Sequence, residues 1–133
     1  MEEEDFKMAR NEISGDQPKR DTVIDFTPVL GTWINSNKKT RWIEKFSLTQ
    51  HDEQIIMHAY GTESLKDWGE TEVTPFVDRM NQENAFCARY DRDSVESLLA
   101  ANMNKGLCII AGFHKFKDGK QTDFCREFYY RLN

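Results

Sequence analysis

From Phe26 onward the chain is a series of short apolar runs broken by polar turns, and no amphipathic stretch of helical length separates them. The runs are Gly31–Asn35, Arg41–Leu48, Gln54–Tyr60, Asp67–Phe76, Asn84–Tyr90, Ser94–Asn102, Leu107–Phe116 and Thr122–Leu132. Between them lie turn-forming clusters: Ser36–Thr40, Gln50–Glu53, Thr62–Lys66, Arg79–Glu83, Asp91–Asp93, Asn104–Gly106 and the hairpin signal Asp118-Gly119. Period-two alternation runs through them. Trp42, Phe46 and Leu48 alternate with Ile43, Lys45 and Ser47; in the last run Phe124, Phe128, Tyr130 and Leu132 share one face, and Asp123, Glu127 and Arg131 the other. The run Ser94–Asn102 contains Leu98-Leu99-Ala100-Ala101, which suits a short helix as well as a strand; strand is the preferred reading. Parallel pairing needs long crossovers, which this spacing does not contain, so the strands should meander antiparallel. An open sheet of this size leaves an exposed edge, and closure removes it. The pattern therefore predicts an all-β fold: a closed or nearly closed antiparallel up-and-down β-barrel of about eight strands.

Residues 1–25 have a different character. They are polar, lack sustained periodicity and are broken by Ser14–Pro18, so they read as a flexible, weakly ordered arm ahead of a barrel domain spanning 26–133. The arm holds eight acidic and four basic residues out of a chain total of 23 and 18, which leaves the barrel almost neutral. Such a segment offers little apolar area to offset its ordering entropy. A chain starting at Asp25 is accordingly expected to melt within a few degrees of the full chain; a collapse of the melting temperature would show that the arm laces the barrel.

Charge and composition narrow the function classes. A near-neutral barrel has no basic stripe of the kind that counterion-driven nucleic-acid binding requires; Lys38-Lys39 and Lys115–Lys120 read as solvated turns. The acidic start Met1–Asp5 is unlike a secretory n-region, and no apolar run approaches a membrane span. Three cysteines, Cys87, Cys108 and Cys125, form no CxxC pair and read as reduced thiols in strand interiors, which points to the cytoplasm. No Gly-rich phosphate loop, Gly-x-Ser-x-Gly or His-Glu-x-x-His occurs, so neither cofactor nor metal is expected.

The segment Asp25-Phe26-Thr27-Pro28-Val29-Leu30-Gly31-Thr32-Trp33 resembles the opening of calycins, the lipocalin-like superfamily. In that family a short turn leads into a Gly-x-Trp element on the first strand, and an Arg near the end of the last strand packs over the Trp. The resemblance implies that Gly31-Thr32-Trp33 supplies this element and that Arg131 or Arg126 supplies the arginine, with Trp33 and Arg131 the preferred closure pair. Asp67-Trp68-Gly69-Glu70 is also similar to an element of small bacterial calycin-like domains of unassigned role. The resemblance covers roughly residues 26–133 and carries a fold, not a ligand.

Candidate chemistry depends on which faces point inward. His58 shares a face with Ile56 and Tyr60, Glu44 with Trp42 and Phe46, Glu70 with Trp68, and Arg126 with Phe124 and Phe128. With those faces inward, His58, Glu44, Glu70 and Arg126 make a polar set inside an aromatic wall of Trp42, Trp68 and Tyr60. Buried charge must be paired or neutralised, so a convergent set of this kind suits an anionic or polar ligand. With His58 as proton carrier and Glu70 as its carboxylate, the same set suits an isomerase or cyclase. His114 reads as a rim residue and His51 as a surface one. Three functions follow: an intracellular calyx protein for a small, partly apolar molecule, acting as a monomer or small homo-oligomer; a cavity enzyme; or a protein-interaction module with a filled core.

Overall fold

Each apolar run becomes a strand. In the computed structural model, which describes residues 25–62 and 66–133, the strands are β1 (Gly31–Asn35), β2 (Ile43–His51), β3 (Gln54–Gly61), β4 (Asp67–Asp78), β5 (Glu83–Asp91), β6 (Val95–Asn104), β7 (Leu107–Phe116) and β8 (Thr122–Arg131). The expected arm, except for Asp25, lies outside the described residues. Every strand pairs antiparallel with its neighbours in sequence, and β1 pairs with β8, so the sheet closes as an up-and-down barrel. Among the described residues no helix is long and apolar enough to cross a membrane.

The 94–102 segment is a strand for a visible reason. Val95, Ser97, Leu99, Ala101 and Met103 are buried while Leu98 and Ala100 are exposed, a period of two that a helix does not produce. Its four apolar residues in a row are shared between the two faces of the sheet.

One end of the barrel is shut by aromatic packing. A single 3₁₀ turn, Thr27–Val29, leads into β1 and buries Val29. Trp33 is 1% exposed, stacks on Phe46 at 6.4 Å and donates its indole N–H to the Val29 carbonyl at 3.0 Å. Register places Trp33 opposite Arg131, whose guanidinium lies 5.0 Å from the Trp33 ring and donates to the carbonyls of Pro28 and Leu30. Gly31 makes this possible: it sits at φ 125°, and a Cβ there would stand 2.8 Å from Arg131 Nη1. The closure arginine is therefore Arg131. Arg126 lies on the outside, over the Phe128 ring at 5.3 Å.

The interior has two halves. The closed end is apolar, built around Trp33, Phe46, Leu48, Met57, Phe86 and Leu99. Towards the other end the inward residues turn polar: Ser97, His114, Cys125 and Glu127, below Trp42 and Trp68. Among the described residues, the cavity under Trp42 measures about 10 Å³.

Register also sets which face of β8 looks in. Because Trp33 points inward, its partner Arg131 does too, and Tyr129, Glu127 and Cys125 follow at intervals of two. Phe124, Phe128 and Tyr130 are thereby outside, 59%, 36% and 38% exposed, which corrects the expectation that the Phe124–Arg126–Phe128 face lines the interior.

Candidate functional site

The open end, where the β1–β2, β3–β4, β5–β6 and β7–β8 connections meet, is the candidate site. Its centre is His114, near the end of β7. The imidazole is 1% exposed, and Trp42 covers it in a parallel stack, 3.8 Å between ring centres at 7°. Trp68 meets the same imidazole edge-on at 6.4 Å and Tyr90 at 5.4 Å. Phe116 completes the aromatic rim, 6.0 Å from Trp42.

Two glycines leave room for these rings. A Cβ at Gly61 would overlap the Trp68 indole nitrogen, and one at Gly112 would stand 2.7 Å from His114 Nε2. Trp42 is held from the other side by a hydrogen-bonded relay. Glu127 accepts from Asn35 at 2.9 Å, Asn37 at 2.9 Å and Thr40 at 2.7 Å, and Thr40 Oγ1 in turn accepts the Trp42 backbone N–H at 3.2 Å. The relay pins the β1–β2 connection onto β8 and sets Trp42 over the mouth.

Beneath Trp42, His114 Nδ1 lies 2.8 Å from Ser97 Oγ, and Nε2 lies 3.6 Å from Cys125 Sγ. The arrangement resembles a nucleophile–base–orienter set, but its thiol is not ionised. Burial, with the charge of Arg92 second, lowers the His114 pKa to about 4, and burial raises the Cys125 thiol to about 11. Both groups are thus held neutral, a thiol beside an imidazole, whereas thiol nucleophiles need the thiolate. The trio packs and hydrogen-bonds, and Cys125 is not armed as a thiolate.

Recesses open on both sides of Trp42. One, of about 130 Å³, is lined by Arg41, Trp42, Thr62, Lys66, Trp68 and Arg92. The other is a wider groove of about 360 Å³ between the β1–β2 connection and β8, bordered by Lys39, Thr40, Asp123, Cys125 and Glu127. Arg92, in the β5–β6 connection, lays its guanidinium on the Trp68 ring at 3.6 Å.

The residues expected to form the site divide cleanly. Trp42 and Trp68 are at the mouth, half-buried. His58, Tyr60, Glu44, Glu70 and Arg126 are on the outer surface. In β3 it is Ile55, Met57 and Ala59 that are buried, so His58 and Tyr60 alternate outward, where their rings stack at 4.5 Å. His58 Nε2 meets Asp67 at 2.7 Å and Nδ1 lies 3.6 Å from Glu70, both carboxylates well exposed. Lys45 sits over the Tyr60 ring at 4.9 Å. Glu44 lines a shallow outer recess of about 290 Å³ with Ile34, Asn37, Lys38 and Lys45.

Two bulges explain why Glu44 and Trp68 part from the faces they share in sequence. The β2–β3 register skips Glu44, so Ile43 and Phe46, three apart, both point inward and Glu44 is turned out. The β3–β4 register skips Trp68, which frees its indole to swing over the mouth while Glu70 stays outside. The inward polar residues that sequence reasoning missed are Ser97, His114, Cys125 and Glu127. The signal for Cys125 and Glu127 was the alternation in the last run taken with the opposite parity, which an inward Arg131 fixes.

Among the described residues no group of His, Cys, Asp and Glu is arranged to hold a metal ion. In comparisons with known proteins, no family model matches this chain, and no curated sequence or solved structure matches it significantly.

Proposed function

We propose that this chain is a calycin-like small-molecule-binding protein whose site is the mouth of the barrel, where a small, partly apolar ligand rests against Trp42, Trp68 and His114. The observation that carries this reading is the convergence of two half-exposed indoles and a buried imidazole around recesses at the open end of the barrel. Ligand sites combine apolar walls with a few fixed polar groups, and the mouth has both. The calycin assignment is supported by the up-and-down closure and the Trp33–Arg131 stack at the shut end. Three free cysteines suit a reducing, cytoplasmic setting.

The test uses a Trp33→Phe variant, in which Trp42 and Trp68 are the remaining fluorophores. Benzyl alcohol and benzoate serve as small probes with a flat apolar part. At least one is expected to change the emission saturably, and adding Trp68→Ala should remove the change while the protein stays folded. Emission that responds to neither probe would refute a site at the mouth.

A second reading, a protein-interaction module, is favoured by the outer face of β6–β8. There Leu98, Phe113 and Phe124 lie in one cross-strand row, 49%, 43% and 59% exposed, with Phe128 nearby. Exposed apolar patches of this kind mark partner surfaces.

A further inference from the structure

Arg92 is placed as few structural arginines are. Its Nε and Nη2 are buried and, among the described residues, meet no acceptor. Two other arginines of the barrel are satisfied: Arg89 meets Glu96 at 3.0 Å, and Arg131 donates to two carbonyls. Two acids on strands that end at the mouth are committed elsewhere. Asp91 pairs with Lys117, and Asp67 accepts from the Gly69 N–H and pairs with His58. A cation with two buried donors and nothing to receive them is unfavourable, and it persists only where something else holds it. Here the Trp68 ring holds it, stacked against the guanidinium plane.

The two orphaned nitrogens are informative as a pair. Nε and Nη2 form one edge of the guanidinium, and the parallel N–H bonds of that edge match the two oxygens of a carboxylate. The recess beside it adds Arg41 and Lys66, and no described carboxylate lines it. Among the described residues neither Arg41, Lys66 nor Arg92 is in an ion pair. Its volume, about 130 Å³, suits a small molecule, and Trp42 and Trp68 line it.

We propose that this recess is a carboxylate-binding site, in which the Nε–Nη2 edge of Arg92 takes both oxygens of a small planar carboxylate while Arg41 and Lys66 draw it in. The inference rests on the mouth being the ligand site and adds the ligand's chemical class. The Arg92 edge is covered in this structure, so binding there requires the mouth side chains to part.

The experiment titrates the full chain with benzoate and with its neutral counterpart benzyl alcohol, following tryptophan emission. Benzoate is expected to bind at least about tenfold more tightly than benzyl alcohol, and more weakly as salt rises. Arg92→Met should erase that preference, weakening benzoate far more than benzyl alcohol, and keep or raise the melting temperature, since it removes an unpaired buried charge. Arg92→Lys, which keeps the charge but not the fork, should lose most of the preference too. Equal binding of both probes would overturn the carboxylate assignment while leaving the mouth as a site. A response to neither would overturn both. A melting temperature lowered by Arg92→Met, with benzoate inert, would give the edge a structural role and overturn the proposal.

Discussion

Replacing Trp33 with alanine is expected to destabilise the barrel by about 3–5 kcal/mol, among the largest losses available to a single substitution. Trp33 is 1% exposed and fills the shut end against Phe46. Its removal opens a cavity, leaves the Val29 carbonyl without its indole donor and strips the Arg131 guanidinium of the ring beneath it. The loss should appear as a lower urea midpoint at an unchanged slope, because the surface exposed on unfolding hardly changes. Trp42→Ala, at the half-exposed mouth, should cost clearly less. A Trp33→Ala protein of near-normal stability would mean that the barrel does not depend on its shut end.

The second large effect is acid destabilisation through His114. The folded protein holds this imidazole at a pKa of about 4, first through burial and then through the charge of Arg92, against 6.5 when exposed. Between those values the unfolded chain binds a proton that the folded chain refuses. Stability therefore rises with pH across the window and is lost as pH falls from about 6.5 to about 4, with nothing further lost to this group below it. The full gap is on the order of 3 kcal/mol. Asp67 and Asp91, whose pKa values are lowered mainly by the Gly69 N–H and by Lys117 respectively, lose their contribution only below the ordinary carboxylate range, in a separate window. Urea midpoints measured from pH 7 to 4 should fall steeply for the native chain and much less for His114→Gln. A native profile that is flat over this interval would contradict the buried neutral imidazole.

The strands were legible because each carries its own period-two pattern and ends on turn residues. Gly31–Asn35 and Leu107–Phe116 run between the same residues in sequence and structure. Gly-x-Trp pointed to the shut end for a local reason as well: glycine before the tryptophan is what lets Arg131 approach. The site was harder to read, because parity along a strand survives only until a bulge. The extra residues Glu44 and Trp68 shift β2 and β4 by one position each, so faces that look continuous in sequence are split between inside and outside. In β8 no bulge intervenes, yet its aromatic face is the outer one. The choice is made by the pairing of Arg131 with Trp33, which residues about a hundred positions apart in the chain decide together. Arg92 carried no signal of its own, since a lone arginine in the turn Asp91–Asp93 reads as solvated until its burial is seen.

The most direct test of the account is an NMR titration of the three indole N–H resonances with benzoate. The Trp42 and Trp68 signals are expected to move together and saturate, while Trp33, whose N–H is held by the Val29 carbonyl at the shut end, stays in place. Movement of Trp33 with Trp42 and Trp68 unchanged would put the ligand at the wrong end of the barrel and contradict the account.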